Sequence, residues 1–321
     1  MRSWQPTAPI AMLQQRAVLL RLTREFFAER EVMEVDTPAL VRHPVSDVHI
    51  HSARVQLPGH PATLYLHTSP EYAMKRLLAA GSGDIYQIAH VFRADERSRL
   101  HNAEFTLIEW YRCGFSMSRL MQEVAELTHR MLRRPANAPY DSLTYGQAFE
   151  QALGVDPLQA TEPRLRDLAT RHGLDVALTL RCTRDELLDW LMAVAVGPGL
   201  ASERLCFVHR YPASQAALAR LDSADPRVAL RFELYYRGVE LANGFEELAD
   251  ADEQRRRFEL DNAQRVRRGL PTADLDEALL AALAAGMPAV SGVALGFDRA
   301  LMLSVGADTI GEVLSFDLDR A

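Results

Sequence analysis

Residues 92 to 105 read FRADERSRLHNAEF, which sets Arg93, Arg97 and Arg99 among Asp95, Glu96 and Glu104, with His101 and the rings of Phe92 and Phe105. Arginine suits phosphate because its planar fork donates paired hydrogen bonds and keeps its charge near neutral pH. Read as a strand, the stretch sends Arg93 and Asp95 to one face, because side chains alternate with a period of two. An anion ligand and an acceptor for an exocyclic amine would then project into one pocket. Phe105, on the returning strand, offers a ring on which a purine can stack. Taken alone, the segment also fits a salt-bridged surface hairpin.

Three further clusters bear on that choice. VELANGFEEL (239–248) places Glu240 and Glu247 seven residues apart, with Asn243 and Gly244 between them. Hard oxygen ligands of this kind suit Mg²⁺ bridging nucleotide phosphates, and Glu240 interrupts an otherwise apolar strand, where an unpaired charge is costly. GVALGFDRALML (292–303) sets Gly292 and Gly296 before Arg299 at the start of a helix. Missing side chains admit a ligand to the backbone, and a helix start favours anionic groups. TSPEYAMKRLL supplies Ser69, Pro70 and Glu71, and IEWYR supplies Glu109 and Tyr111. Carboxylates and a phenol together can hold a substrate carrying more than one ammonium group, whereas Glu71 by itself also fits plain helix capping.

These residues need a scaffold. Leu13, Val18, Leu22 and Phe26 repeat at helical spacing within 10–31, predicting a long amphipathic helix, and VMEVDTPAL predicts a short strand stopped by Pro38. The segment from Thr63 to Glu96 alternates strand, helix, strand; Thr68 or Ser69 can cap the helix, Pro70 fits its first turn, and Gly81 and Gly83 end it. EFTLIEWYRCGF reads as a strand antiparallel to IYQIAHVFRAD. From about 116 to 226 the pattern is mostly helical and loop-like. ALRFELYYRGVELANGFEEL returns to strand character, DADEQRRRFELDNAQRVRRG is a charged helix with a solvated face, and GVALGFDRALMLSVGA is a strand running into a helix. The expected class is α+β: one antiparallel sheet flanked by helices, with a helical insertion, over residues 1–321 as a single domain.

The composition is that of a globular protein: 321 residues, 48% hydrophobic and 25% charged, with a net charge of −7. An acidic total argues against broad attachment to nucleic acid but leaves room for a local positive pocket. No stretch resembles a membrane span or a signal peptide. Cys113, Cys182 and Cys206 are far apart, so a reduced cytoplasm is expected and zinc is not. Lys75 is the only lysine among many arginines, which fits base-composition bias in the coding DNA; the alternative is avoidance of surface lysines that a reactive acyl group would modify.

In order and spacing, from about residue 10 to 320, these pieces resemble the catalytic core of class II aminoacyl-tRNA synthetases. The first helix with EVDTP resembles the first class motif, FRADERSRLHNAEF the second, and GVALGFDRALML the third. TSPEYAMKRLL, HNAEFTLIEWYR and ELANGFEEL narrow the likeness to the lysyl branch. The SWQPTA opening, the GVALG of the third motif and a start at the catalytic core, with no N-terminal OB-fold expected, resemble the family of elongation factor P–(R)-β-lysine ligases, paralogues of lysyl-tRNA synthetase.

The resemblance implies ATP-dependent activation of (R)-β-lysine and its transfer to a lysine side chain of elongation factor P, in the cytoplasm, by a homodimer paired through the first motif, with no tRNA. It implies that Arg93 and Arg299 are the catalytic arginines. ATP would meet Arg93, Ala94, Asp95, Asn102, Phe105, Glu240, Leu241, Gly296 and Arg299, with Arg99 and His101 near the outer phosphates. Ser69, Pro70, Glu71, Glu109, Tyr111 and Glu247 would surround the diamino acid, and Glu240 with Glu247 would hold Mg²⁺. Two positions depart from the pattern. Ala94-Asp95 stands where the family has Asn-Glu, leaving a side chain one methylene shorter toward adenine, for which Glu96 could substitute. Ala294 stands where lysyl synthetases have glycine. The alternatives are a truncated lysyl-tRNA synthetase acting on tRNA and a catalytically silent amino-acid sensor on the same fold.

Overall fold

The computed structural model describes residues 4–200 and 203–321; Ser3 of the SWQPTA opening lies outside them. In chain order the elements are α1 (Ile10–Ala28), β1 (Met33–Glu34), β2 (Leu40–Val41), β3 (Arg54–Val55), β4 (Leu64–Leu66), α2 (Glu71–Ala79), β5 (Ile85–Phe92) and β6 (Glu104–Cys113). There follow α3 (Met117–Met131), β7 (Asp141–Thr144), α4 (Tyr145–Leu153), α5 (Glu162–Arg171), α6 (Val176–Thr179), α7 (Arg184–Leu191), β8 (Cys206–His209), β9 (Arg231–Tyr236) and β10 (Val239–Glu246). The chain ends with α8 (Ala251–Arg267), α9 (Glu277–Gly286), β11 (Val290–Gly296) and α10 (Phe297–Val305). This is the α+β class expected, a mixed and mainly antiparallel arrangement of strands flanked by helices.

The chain divides into two compact units, one of Met1–Phe115, Glu126–Ala136 and Leu248–Ala321, the other of Ser116–Ala125 and Asn137–Glu247. In the first unit the strands run β1-β5-β6-β11, and a separate three-stranded sheet runs β2-β4-β3. β6 is antiparallel to both β5 and β11, with Gln87 opposite Glu109 and Glu109 opposite Ala294. The alternation along β6 divides the work. Trp110 and Ile108 are fully buried, and Trp110 meets Phe27 of α1 edge-on at 5.4 Å. Glu109, Tyr111, Gly292 and Ala294 occupy the other face, as cross-strand partners. α1 is shorter than its sequence pattern, ending at Ala28, because Glu31 turns left-handed with φ 55°.

One sequence expectation changes here. The strand through FRAD ends at Phe92. Arg93 and Asp95 therefore lie on a turn, closed by Glu96 N–H to Arg93 C=O at 3.2 Å, and the period-two argument for their shared face does not apply. The charged helix α8 has the solvated face expected of it, through Asp252, Arg256, Glu259 and Arg267, while on its other side Arg265 is buried and donates to the backbone carbonyls of Pro271 and Asp47.

In the second unit the strands run β10-β9-β8-β7. Its core packs α4, α5 and α7 through Phe149, Leu165, Leu187 and Leu191, all fully buried, against Val208 of β8. Thr144 and Thr183 begin α4 and α7 with reciprocal capping boxes, which satisfy backbone donors that a helix start leaves unpaired. The segment from 116 to 226 thus holds the helices α3–α7 and also the short strands β7 and β8, whose lengths of four residues give too little pattern to read.

Candidate active site

Within the first unit the turn before α2 brings the amino-acid candidates together. Ser69 Oγ accepts the N–H of Glu71 at 3.0 Å, satisfying a donor at the helix start, and donates to Glu109 Oε2 at 2.6 Å. Tyr111 donates its hydroxyl to Glu109 Oε1 at 2.7 Å. Glu109 is 2% exposed, and burial first, then the neighbouring Glu71, pushes its carboxyl up to about 7 against the help of the Ser69 and Tyr111 hydrogen bonds. Glu71 faces the ammonium of Lys75, one turn later on α2, at 2.7 Å; Lys75 is 1% exposed. Ser69, Pro70 and Glu71 also border a cavity of about 420 Å³ whose wall includes Arg42, His43, Arg76 and Asp276. The five candidates Ser69, Pro70, Glu71, Glu109 and Tyr111 therefore form one acidic cluster, buried at Glu109 and Tyr111 and half-buried at Ser69 and Glu71, extended by Ala294 as the cross-strand partner of Glu109.

The phosphate candidates form a second group in the same unit. Arg93 donates to Glu96 at 3.0 Å and lies 5.1 Å from the centre of the Phe105 ring, so the guanidinium takes one face of the ring suggested for adenine. Arg299, in the first turn of α10, donates to Leu100 C=O at 3.3 Å and meets His101 Nε2 at 2.7 Å. Arginine can only donate, so Nε2 accepts and Nδ1 carries the proton, donated to Ser98 Oγ at 2.7 Å. Burial first, then Arg299, lowers the His101 pKa, which keeps the ring neutral and Arg299 the cation of the pair. Gly296 caps α10, and the buried Asp298 anchors the helix by accepting Thr106 N–H at 2.7 Å and pairing with Arg16 of α1.

Other candidates point elsewhere. Asp95 is exposed and pairs with His51, while Ala94 N–H is spent on His51 C=O at 2.9 Å. Asn102 donates to Glu104 C=O at 2.7 Å and accepts from Leu318 N–H at 3.3 Å, which engages both ends of its amide. Arg99 donates to Asp308 C=O at 2.8 Å. Glu96, named as a substitute for Asp95, is the residue that pairs with Arg93.

In the second unit, Glu240, Leu241 and Glu247 lie along β10 and just after it. Residues seven apart on a regular strand face opposite ways, but the register slips between Glu240 and Ala242, so Leu241 is an inserted residue that reverses the alternation. Glu240 stands opposite Tyr235, Asn243 opposite Glu233 and Phe245 opposite Arg231. Continuing this alternation through the bridge of Glu247 to Ala219 puts Glu247 on the Glu240 face. Glu247 is 5% exposed. The two carboxylates thus share a face but stand six ladder positions apart, about 20 Å along a regular strand; each is a hard oxygen donor of the kind that suits a divalent cation.

β9 supplies a network that sequence reasoning missed. Glu233, buried, accepts hydroxyls from Tyr211 and Tyr235 on Oε2 and the guanidinium of Arg231 on Oε1, each at 2.5 Å. Arg231 also donates to Asn243 Oδ1 at 3.2 Å and Gln215 C=O at 2.7 Å. Burial raises both tyrosines, with the Glu233 charge adding to it; burial alone would lower Arg231, and Glu233 reverses that. The alternation of Arg231, Glu233 and Tyr235 in RFELYY was the available signal.

An acidic cluster and, in the same unit, two arginines each held by its own neighbours, one of them on a glycine-capped helix, are the parts of a site that activates an amino acid on a nucleotide. The family of class II tRNA synthetases (D, K and N) matches residues 7–320, and the chain belongs to it. Among curated relatives, the "Elongation factor P–(R)-beta-lysine ligase" of Edwardsiella ictaluri is 50% identical over 325 residues, covering 100% of this chain and 99% of that protein. The protein of the same name from Klebsiella pneumoniae subsp. pneumoniae is 48% identical, covering 99% and 98%, and that from Salmonella dublin 47%, with the same coverage.

Proposed function

We propose that this protein activates (R)-β-lysine with ATP and ligates it to a lysine side chain of elongation factor P. The observation that carries the reading is Glu109, a buried carboxylate held between Ser69 and Tyr111 beside Glu71, in a chain that shares half its residues with ligases of that name. Carboxylates so held recognise ammonium groups of a diamino acid.

The substrate carboxylate attacks the α-phosphorus of ATP; the bond to pyrophosphate breaks and an aminoacyl-adenylate forms. The neutral ε-amine of the acceptor then attacks the carbonyl, AMP leaves, and the amide nitrogen loses a proton. No protein nucleophile is required. Arg93 and Arg299 stabilise the charge that develops on phosphate, and rigid placement of the reactants supplies the rest. Neutral His101 orients Arg299, and Glu96 orients Arg93. Ala94, Asp95, Asn102, Phe105, Leu241 and Gly296 are assigned to the nucleotide on the resemblance alone. For Asp95 and Asn102 that assignment requires their present partners to be exchanged on binding.

Glu240 and Glu247 would hold Mg²⁺, which when bound neutralises phosphate charge; Glu247 would also face the amino acid, with Ser69, Pro70, Glu71, Glu109 and Tyr111. The chain is proposed to act as one catalytic domain, with 116–226 as an insertion, and as a cytoplasmic homodimer paired through α1 and the EVDTP segment; sedimentation at micromolar concentration tests the dimer. Among the described residues no helix is long and apolar enough to cross a membrane. The decisive experiment is the intact mass of elongation factor P after incubation with this protein, ATP and each lysine isomer. A gain of one lysyl residue, largest with (R)-β-lysine, is expected. No gain with any isomer would overturn the reading, and charging of tRNA instead would put the chain among the lysyl-tRNA synthetases.

A further inference from the structure

The only lysine of the chain is buried in the acidic cluster. Lys75 is 1% exposed, on the inner side of α2, and its ammonium lies 2.7 Å from Glu71 Oε1. A lysine is the side chain least suited to burial, since its ammonium loses strong hydration and its long stem loses many rotamers. Here it stands one helical turn from Glu71, whose own N–H is held by the Ser69 hydroxyl that also binds Glu109. Lys75, Glu71, Ser69, Glu109 and Tyr111 are thus linked by short polar contacts around a single buried centre.

Counting charge shows what Lys75 does there. Glu71 and Glu109 bring two negative charges if both ionise. The groups facing Glu109 are Glu71 and Lys75 from α2, Ser69 before it, Tyr111 on its own strand, and the uncharged Gln87 and Ala294 on β5 and β11. Lys75 is the only cation among them. We propose that Lys75 is a positioning residue of the amine subsite: it fixes the Glu71 carboxylate and cancels one charge of the Glu71–Glu109 pair, so that one substrate ammonium group neutralises the remainder. This rests on the reading of the cluster as the diamino-acid site. Without Lys75, two like charges, the buried Glu109 and the half-buried Glu71, share the subsite, which favours a proton on Glu109. A protonated Glu109 cannot pair with an ammonium group until that proton leaves. The direction agrees with the shift seen in the intact cluster, where Glu71 pushes the Glu109 carboxyl up and Lys75 holds it down.

The test is a titration of the Glu109 carboxyl by carbon-13 NMR in protein labelled at glutamate, with the signal assigned through Glu109→Gln. The wild type is expected to titrate near 7, and Lys75→Met, which keeps the length of the stem, about one unit higher. The acid limb of kcat/KM for the amino acid in pyrophosphate exchange should move with it, a loss of about fivefold at pH 7 that approaches tenfold in acid and is recovered in alkali, with KM for ATP unchanged. A mere packing defect would lower activity at every pH. If Lys75→Met does not fold, Glu71→Gln is compared with the double variant Glu71→Gln/Lys75→Met, which buries no excess charge on α2; Glu109 should titrate about one unit higher in the double variant. An unmoved Glu109 titration in either comparison overturns the proposal. If the titration moves but the wild type shows no exchange with any amino acid, the charge balance stands and the assignment of the cluster to a diamino acid falls.

Discussion

Replacing Ala294 by glycine tests whether the acidic cluster reads the position of the substrate amine. Ala294 is the direct cross-strand partner of Glu109, and Gly292 is that of Tyr111. Directly paired residues on neighbouring strands hold their Cβ atoms about 4.5–5.5 Å apart, so the Ala294 methyl lies against the stem of the carboxylate. A diamino acid whose amine moves from the α to the β carbon shifts one ammonium group by about one bond length. A site with fixed carboxylates and a methyl wall can resolve that shift. Glu109 is fixed by hydroxyls at 2.6 Å and 2.7 Å. One methyl in a close-fitting pocket is worth about 1–3 kcal/mol, or roughly 10–200-fold in kcat/KM. Ala294→Gly should therefore shift the ratio of kcat/KM for α-lysine over (R)-β-lysine upward by about tenfold or more. Glycine in a strand also costs about 0.5–1 kcal/mol of stability. That penalty falls on both substrates alike, so the ratio and not the rate is the quantity to measure. Pyrophosphate exchange with each isomer gives it directly. A ratio unchanged within about twofold, well under the tenfold floor, would refute the argument and place the discrimination with Ser69 and Glu71.

Arg93→Ala and Arg299→Ala should each lower adenylate formation by about 10²–10³ while leaving the circular dichroism spectrum intact; near-wild-type exchange in either would remove that residue from the catalytic set. Glu240→Gln should raise the magnesium concentration needed for half-maximal exchange, because the amide keeps the shape and loses the charge a hard cation needs; an unchanged magnesium titration would make Glu240 structural. Arg231→Met should cost about 3–5 kcal/mol in urea unfolding by stranding Glu233 in the core, and Arg231→Met/Glu233→Gln should recover most of it; equal stabilities for the two variants would mean that the ion pair carries no buried charge penalty. Incubated with ATP and lysine, the wild-type protein should acquire no acyl group on Lys75, which is 1% exposed, whereas Arg21→Lys, at a side chain 70% exposed, should acquire one; peptide mass mapping reads both, and acylated Lys75 would contradict its burial.

What could be read from the sequence was whatever repeats with a strong local period. Leu13, Leu22 and Phe26 mark α1, although Val18 of the same pattern is 40% exposed and its neighbour Leu19 is the buried residue; the β5–β6 hairpin follows from its β-branched and aromatic residues, and β11 runs into α10 where the glycines of GVALG place it. Pairing the candidates Ser69, Glu71, Glu109 and Tyr111 was also legible, because a capped helix start and an alternating strand leave few places for their side chains. The rest depended on events without a local signature. The strand ends at Phe92 because the backbone of Arg93 closes a turn with Glu96, and no residue type in RADE demands that. The relation of Glu240 to Glu247 depends on one inserted residue, Leu241, which shows only in the register against β9. α9 escaped notice because LLAALAAG is apolar on too many sides to declare a helical face. Lys75 and Arg231 were invisible for a different reason: which carboxylate a buried cation meets is decided by tertiary packing.

That last point joins the two units in chemical logic. Each surrounds a buried carboxylate with hydroxyls and adds one cation nearby: Glu109 with Ser69, Tyr111 and, through Glu71, Lys75; Glu233 with Tyr211, Tyr235 and Arg231. Carboxylates left alone at such depth would take up protons and lose their fixed charge. Hydroxyls that donate to them, and a cation that offsets them, preserve both the charge and its direction. A reaction that uses no protein nucleophile has only such fixed charges and contacts to work with, and they must be in place before the substrate arrives. The arginines obey the same rule, since neutral His101 and Glu96 hold Arg299 and Arg93 in position without any ligand. Lys75, paired with Glu71, is therefore where loss of charge should impair activity through the geometry and ionisation of Glu71 and Glu109, whereas loss of the Arg231 charge should act on stability through Glu233.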